Sequence, residues 1–376
     1  MKRHYKYCLL GCYLLSVAFS YTQTVTKKDS TLASSKIIFC IHGHFGFIAA
    51  HHPDMTYLIK RHIPAFEMNI FRISDGEKLW QRIYKNPEIG LALFVMDLGN
   101  PQQLGQAIGV YPYINFPLNP KRKFRFYLRA GTGFGFITKP YEREKNHKNN
   151  VIGTYINGTI NLRLNSTFNL CSSGKWKMNT GIGLTHFSNG SWSLPNLGMN
   201  IPTVNVGIQL CSDTKTEKQR NDYDTVKAQK TFCYFLFAGG GPSEINPPEG
   251  KKYPSFTLSS NTGINISQKS RLLSGVELFY NFSNIEVAKR DTSYELKNDF
   301  SNLQVGCKFG YELLVGKISL PIEMGVYVYT QTKDEGYFYH RIGIRYFVNK
   351  HLLLIYTLKT HWAKADYMEG GVGYRF

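Results

Sequence analysis

The last residues of the chain, 369–376, read EGGVGYRF and alternate apolar side chains with small or charged ones. Side chains of equal parity in an extended strand point to the same side. This strand therefore has two different faces. The apolar face consists of Met368, Val372, Tyr374 and Phe376, and the polar face consists of Glu369, Gly371, Gly373 and Arg375. A wall that is apolar outside and polar inside is what a membrane-spanning β-barrel requires.

The same alternation recurs from residue 35 onward, in short segments rich in aromatic residues, β-branched residues and glycine. It predicts about sixteen strands. In the first half they lie near residues 37–50, 63–73, 88–97, 104–117, 123–138, 153–170, 175–188 and 201–211. In the second half they lie near residues 231–241, 254–266, 270–282, 302–314, 316–330, 336–348, 351–361 and 366–376.

The connections between these segments alternate between short ones, such as NPKRK and VNKH, and long ones, such as KPYEREKNHKNN. Residues 74–87 and 212–230 are exceptions, because they are long where a short turn is expected. The closing aromatic residue also resembles the last-strand signature of bacterial outer-membrane barrels. A soluble β-sandwich or solenoid would explain the alternation but neither of these features. We therefore predict an all-β, antiparallel transmembrane β-barrel.

The strands could form one barrel or two. The stretches GLTHFSNG and LKTHWAKA each precede the final strand of a half, which suggests that an eight-strand unit was duplicated. We favour one wide barrel of about 16 strands, with two tandem eight-stranded barrels as the alternative. The first half is residues 36–212, the linker is residues 213–230, and the second half is residues 231–376.

The N-terminus has a basic start, an apolar run from Tyr7 to Phe19, and small or polar residues after it. This pattern predicts a cleaved secretory signal peptide at residues 1–23 and, with the barrel, the outer membrane of a Gram-negative bacterium. The formal net charge is +19, from 45 Lys and Arg against 26 Asp and Glu. Export disfavours nucleic acid as a partner, so anionic lipid or lipopolysaccharide phosphate is the partner that we expect.

A polar group interrupts the outer face of one strand in the stretch GLTHFSNGSWSLPNLGMN, residues 183–200. The face that carries this group is otherwise apolar and consists of Met178, Thr180, Ile182, Leu184, His186 and Ser188. Asn200 has the parity of the apolar face of the next strand. We expect His186, Ser188 and Asn200 to gather on the lipid-facing wall, near the extracellular rim.

Such a group suits acyl transfer. An imidazole takes the proton of a serine hydroxyl, a third group fixes the tautomer of that imidazole, and nearby donors stabilise the oxyanion. A nucleophile on the outer wall reaches only ester bonds of lipids embedded beside it. In the outer leaflet of a Gram-negative bacterium, that lipid is lipopolysaccharide.

The residues THFSN, with Asn196 after them, resemble the motif of the PagL family of outer-membrane lipid A 3-O-deacylases. The resemblance covers roughly residues 36–212 at the level of strand count and is specific only from Thr185 to Asn200. It implies an exterior serine esterase that needs no cofactor and no metal, with lipid A or lipopolysaccharide as substrate. It also implies Ser188 as nucleophile, His186 as general base, and Asn196 and Asn189 as oxyanion residues.

At Asn200 the chain departs from the family, which has a glutamate there. An amide can hold a histidine tautomer, but it cannot offset the charge of an imidazolium as a carboxylate does. The alternative function is a non-catalytic porin or transport barrel, in which the polar residues only mark the membrane interface.

The stretch CIHGHFGFIAAHHPD contains four histidines, His42, His44, His51 and His52. We interpret them as loop and rim residues suited to contact with lipid phosphate. Metal binding is the weaker alternative.

Overall fold

A computed structural model describes residues 37–119, 124–211, 231–290, 302–331, 336–362 and 364–376 of the chain. The predicted signal peptide and the predicted linker lie outside these residues. The helices that the structure describes are a 3-10 helix (Pro53–Leu58) and two α-helices, α1 (Leu79–Ile83) and α2 (Phe282–Arg290). In the described part of the chain, every helix is too short or too polar to cross a membrane.

The first eight strands close into an antiparallel barrel. They are β1 (Ile38–Gly46), β2 (Ile63–Ile73), β3 (Glu88–Asp97), β4 (Gln106–Pro117), β5 (Arg125–Ile137), β6 (Ile156–Asn169), β7 (Trp176–Ser188) and β8 (Met199–Leu210). Closure comes from β1 and β8, whose residues pair from Phe39 with Leu210 to Gly46 with Thr203.

The second eight strands close into another antiparallel barrel. They are β9 (Phe232–Glu244), β10 (Lys252–Asn265), β11 (Ser270–Asn281), β12 (Leu303–Val315), β13 (Ile318–Tyr329), β14 (Phe338–Phe347), β15 (Leu352–His361) and β16 (Lys364–Arg375). The pairing of β16 with β9, from Gly370 with Gly240 to Arg375 with Phe235, closes this ladder.

The predictions of an all-β antiparallel fold and of sixteen strands are confirmed. The preference for one wide barrel is wrong, because the chain forms the alternative of two tandem eight-stranded barrels. The hydrogen bonds explain this outcome: β1 takes the edge of β8, and β16 takes the edge of β9. Each half therefore leaves no strand edge with which to pair the other half.

A buried carboxylate organises the lumen of the first barrel, as expected for an eight-stranded barrel that side chains can fill. Glu67 of β2 accepts hydrogen bonds from Arg129 at 3.0 Å and from Arg163 and Tyr111 at 2.5 Å each. A cavity beside this network, lined in part by His42, has a volume of about 10 Å³. That volume is about the size of one water molecule, so this stretch of the lumen is a packed core.

His42 and His44 belong to this core, and their interpretation as loop and rim residues is wrong. Both are on the inward face of β1, where Nδ1 of His42 lies 3.7 Å from Glu67 and Nε2 of His44 lies 3.8 Å from it. The described residues contain no group of three or more His, Cys, Asp or Glu side chains that could hold a metal ion.

Ion pairs also fill the second lumen. Lys308 donates to Glu277 at 2.9 Å and to Glu323 at 3.1 Å. Arg345 donates to Glu323 at 2.8 Å and to Glu312 at 3.0 Å. All of these side chains are buried, so each charge has a partner of opposite sign inside the barrel.

The last two strands place most of their polar residues in the same lumen. Lys359, His361 and Glu369 are buried, which agrees with the polar face assigned from their parity. Arg375 lies at the end of the barrel, half-exposed, and donates to the carbonyl of Lys350 at 2.8 Å. The exposed face of β16 carries Val372, Tyr374 and Phe376, as the alternation predicted.

One contact between the two barrels lies at the end opposite to Ser188 and is made by the long connection between β2 and β3. That connection contains α1. The hydroxyl of Tyr84, next to the helix, donates to the carbonyl of Leu314 at 2.9 Å, and the indole of Trp80 lies against Gly316. The unexpected length of residues 74–87 therefore serves contact between the barrels.

Candidate functional site

Strands β7 and β8 carry the predicted site residues on the outer wall. Thr185 and Phe187 are buried, whereas Ile182 is 61% exposed, so the even-numbered residues of β7 face outward. His186 and Ser188 belong to this outward set. In the strand register, His186 is the direct partner of Asn200 on β8, and Ser188 is the direct partner of Gly158 on β6.

Ser188 ends β7, and its hydroxyl lies against the connection to β8, residues 189–198, which we call the site loop. Nδ2 of Asn196 and the backbone N–H of Gly190 each donate to Oγ of Ser188 at 3.1 Å. Among the described residues, Ser188 has no hydrogen bond to His186. Catalytic hydrogen bonds are often absent or long without substrate and tighten when it binds.

The orientation of the Asn196 amide follows from its neighbours. The backbone N–H of Asn189 lies 3.0 Å from Oδ1 of Asn196, and it can only donate. Oδ1 therefore faces this N–H, which leaves Nδ2 as the donor beside Ser188. The hydroxyl of Ser188 also reaches Oδ1, at 3.2 Å.

The side chain of Asn189 points away from Ser188. It is buried, and its Nδ2 donates to the carbonyl of Ser193 at 2.8 Å and to Oγ1 of Thr154 at 3.2 Å. Asn189 therefore contacts the neighbourhood of the serine through its backbone, whereas Asn196 contacts it through its side-chain amide.

A chain of hydrogen bonds fixes the tautomer of His186. The carbonyl of Leu197 can only accept, so Nε2 of His51, which lies 3.0 Å away, carries a proton. Nδ1 of His51 then accepts from Nδ2 of Asn200 at 3.3 Å. Oδ1 of Asn200 faces Nδ1 of His186 at 2.7 Å, so that nitrogen carries the proton of the imidazole.

The other nitrogen of His186, Nε2, is therefore unprotonated when the ring is neutral, and it has no hydrogen bond to a described residue. A general base needs such a free lone pair. His51 also lies 3.3 Å from the carbonyl of Ala49. A neutral imidazole has only one N–H, and the shorter contact with Leu197 takes it.

The second barrel borders the site. A Cβ atom at Gly158 would lie 3.3 Å from the carbonyl oxygen of Ser188 and 4.0 Å from Cε of Met368, which belongs to β16. The side chain of Met368 also packs against Gly190. The space in front of Ser188 is therefore bounded by the outer walls of both barrels.

Two family models match the chain: "Lipid A 3-O-deacylase (PagL)" matches residues 71–209, and "Acyloxyacyl hydrolase, C-terminal domain" matches residues 232–376. The chain belongs to the PagL family. Membership in the PagL family implies lipid A deacylation in the outer membrane, with lipid A or lipopolysaccharide as the substrate. The second matched region spans the second barrel, whereas the first runs from the end of β2 through β8 and leaves out β1 and most of β2.

No curated protein matches this PagL-family chain. Similar solved structures include a mutant of the Rh. blastica porin, with 6% identity over 91% of this chain and 100% of that chain and a TM-score of 0.19. The NanC porin has 6% identity over 89% and 97%, with a TM-score of 0.16. The beta domain of the Bordetella autotransporter BrkA has 8% identity over 90% and 98%, with a TM-score of 0.24.

Sequence reasoning missed two groups of the candidate site. His51 was assigned to lipid phosphate, but its ring nitrogens contact Asn200 and Leu197, which is 146 residues away in the chain. The backbone N–H of Gly190 contacts Ser188 and has no side chain to reveal it. Its positive φ of 61° is a conformation that glycine adopts readily, so the NG pair after Ser188 was the available signal.

Proposed function

We propose that this chain is an outer-membrane serine esterase that removes an ester-linked acyl chain from lipid A, with Ser188, His186 and Asn200 as its catalytic group. The observation that carries the proposal is the contact of 2.7 Å between Nδ1 of His186 and Oδ1 of Asn200, on the outward face that also carries Ser188. It leaves Nε2 of His186 available as a base on a wall that lipid contacts.

In the first step, Nε2 of His186 takes the proton of Ser188, and Oγ attacks the ester carbonyl of lipid A. As Oγ turns toward the substrate, Nδ2 of Asn196 and N–H of Gly190 are left facing the oxyanion of the tetrahedral intermediate. A preorganised donor of this kind is worth about 10²–10³ in kcat. The intermediate collapses, His186 returns its proton to the departing sugar oxygen, and an acyl-serine remains.

In the second step, a water molecule gives a proton to His186 and attacks the acyl-serine. Collapse of the second intermediate breaks the bond to Oγ, and His186 reprotonates Ser188. The products are a fatty acid and a lipid A with one free hydroxyl. Asn200 accepts from Nδ1 of His186 throughout, which keeps Nε2 as the atom that carries the transferred proton.

The filled interior supports an esterase over a transport channel. Buried charges occupy both lumens, and the cavity beside Glu67 holds about 10 Å³. A channel needs a continuous water-filled path through the barrel. The polar side chains around Ser188 lie on the outer wall and do not belong to the networks that fill the lumens.

Export also belongs to this proposal. The basic and apolar pattern of residues 1–23 supports a cleaved signal peptide, and the basic excess of the chain supports contact with anionic lipid phosphate. We assign the esterase site to residues 36–212, with residues 213–230 as the linker and residues 231–376 as a second unit.

Mass spectrometry of lipid A tests the proposal. The wild-type chain and the variants Ser188→Ala and Ser166→Ala are produced in a bacterium that makes lipopolysaccharide. Ser166 is a matched control, because it is another serine of the outer wall and its hydroxyl forms a hydrogen bond with Thr180 at 3.2 Å, away from the site loop. Loss of one acyl chain is expected with wild type and Ser166→Ala. Intact lipid A with folded, inserted wild-type protein, or deacylation by Ser188→Ala, would contradict the proposal.

A further inference from the structure

Residues of the second barrel form hydrogen bonds with consecutive residues of the site loop. The hydroxyl of Ser191 donates to the carbonyl of Ala365 on β16 at 2.7 Å. The carbonyl of Trp192 accepts from Nζ of Lys252 on β10 at 2.7 Å. These contacts lie at the end of the barrels that carries Ser188.

Glu244, the last residue of β9, makes the most direct of these connections. Oε2 of its carboxylate accepts from the hydroxyl of Ser193 and from the backbone N–H of Leu194, both at 2.7 Å. Oε1 accepts from the backbone N–H of Gly250 at 2.5 Å, and the N–H of Glu244 donates to the carbonyl of Ser191 at 3.1 Å. The carboxylate of Glu244 thus joins the site loop to the second barrel by two hydrogen bonds.

The carboxylate of Glu244 is in an unusual environment. The residue is only 4% exposed, and no salt bridge joins its carboxylate to a described residue, although the ammonium of Lys252 interacts with it electrostatically and donates to the same loop. A buried charge is costly unless hydrogen bonds replace the water that it loses. Two of the groups that donate to this carboxylate belong to the site loop. The loop is therefore held in the position in which it can form these hydrogen bonds.

The two site-loop residues that donate to the carboxylate of Glu244 lie close to the oxyanion donor along the chain. Leu194 is two residues before Asn196 along the site loop. The carbonyl of Ser193 accepts from Nδ2 of Asn189 at 2.8 Å, and the N–H of Asn189 in turn orients the amide of Asn196. A displacement of Ser193 and Leu194 would therefore move the amide that faces Ser188.

We infer that the second barrel supplies a positioning residue for the esterase: Glu244 holds the site loop so that Nδ2 of Asn196 faces the oxyanion formed at Ser188. This inference rests on the proposed function. The second barrel contributes no group to the chemical steps, and its role at the site is to fix the loop of the first barrel. Misplacement of a catalytic group by about 1 Å lowers a rate by about 100-fold.

The test uses the full chain with the variants Glu244→Ala, Glu244→Gln and Glu249→Ala, and measures deacylation of lipid A in mixed micelles. Glu249 is the matched control, because it lies on the same β9–β10 connection and also contacts the first barrel, through Arg143, but it does not touch the site loop. Labelling of Ser188 by a fluorophosphonate gives a second measure of site geometry.

Glu244→Ala is expected to lower kcat by about 10- to 100-fold with little change in KM, and to slow the labelling of Ser188 to a similar extent. Glu244→Gln retains a carbonyl oxygen that can accept from Ser193 and Leu194, so it is expected to keep most of the activity. Glu249→Ala is expected to match wild type. Folding of each variant is checked by circular dichroism and by resistance of the barrels to SDS without heating.

Two outcomes would overturn the inference: a folded Glu244→Ala with wild-type kcat, or equal losses in Glu244→Ala and Glu249→Ala. Failure of the proposed function is a separate result, because wild-type protein would then leave lipid A intact or Ser188→Ala would still cleave it. If Glu244→Ala does not fold, Glu244→Asp replaces it, because its shorter side chain withdraws the carboxylate from Ser193 and Leu194; a folded Glu244→Asp with the kcat and the Ser188 labelling of wild type would overturn the inference.

Discussion

Nδ1 of His186 lies 2.7 Å from Oδ1 of Asn200, which is an uncharged side chain in the position where the PagL family has a carboxylate. The amide gives His186 an acceptor that fixes its tautomer. It gives no negative charge to stabilise the imidazolium that forms in the proposed mechanism. The direction of the amide also depends on a second histidine, His51, since Nδ2 of Asn200 contacts Nδ1 of that ring at 3.3 Å.

Replacing Asn200 with aspartate is expected to raise activity. The change keeps the size of the side chain and removes the Nδ2 that donates to His51, but it turns the neutral hydrogen bond to His186 into a charge-assisted one, which is stronger by about 1 kcal/mol. The corresponding gain in kcat is about fivefold. Steady-state kinetics on lipid A measures it. Asn200→Ala is the opposing variant and should lower kcat, and equal activity of the alanine and aspartate variants would contradict a role for this residue.

Replacing His51 with alanine is expected to lower kcat when residue 200 is asparagine but not when it is aspartate. Without His51, the Asn200 amide can turn its NH₂ group toward His186 and stabilise the wrong tautomer. A carboxylate has two equivalent oxygens, so its direction does not matter. The measurement is a double-mutant cycle of His51→Ala and Asn200→Asp. An equal loss in both backgrounds would show that His51 acts in some other way.

Filling the space at Gly158 is expected to block the substrate. A leucine there would project from the outer wall beside Ser188, toward Met368. Gly158→Leu should raise KM or abolish activity, while the barrel remains folded. Gly43→Leu is the matched control, because Gly43 also lies on an outer wall and has nothing within 4 Å of the position of a Cβ. Full activity of Gly158→Leu would mean that lipid A reaches Ser188 from another direction.

The lumen networks lead to a prediction about stability. Arg163→Ala leaves buried Glu67 without one of its two guanidinium partners, and breaking a buried pair costs about 3–5 kcal/mol. Arg61→Ala removes a solvent-exposed arginine from its pair with Asp97, which is worth about 0–1 kcal/mol. Urea unfolding of the protein in lipid vesicles gives both values. A similar loss in the two variants would contradict a structural role for the Glu67 network.

The positions of the strands, and the face of the wall on which each side chain lies, could be predicted because alternation with a period of two is a local property of the sequence. The outward placement of Ser188 followed from parity alone, as did the inward placement of His361. The same parity places His42 in the lumen, because its neighbours Ile41 and Gly43 are on the opposite face, so the alternation is a better guide to its position than the cluster of histidines.

Barrel number and the histidine chain could not be predicted in the same way, because both depend on contacts between distant residues. Whether β8 closes on β1 or continues into β9 is decided by backbone hydrogen bonds that any sequence can make. The contact between His51 and Leu197 likewise exists only once the barrel has closed and brought Ala49 beside Asn200. Neither leaves a periodic signal in the sequence.

The outward position of Ser188 also determines how substrate arrives. Lipid that reaches this wall travels by lateral diffusion within the leaflet, so its supply is two-dimensional. The rate of an enzyme with such a site should follow the mole fraction of lipid A in the membrane. Mixing inert phospholipid into a vesicle should slow the reaction, whereas adding buffer to the same vesicles should leave the turnover of each embedded protein unchanged.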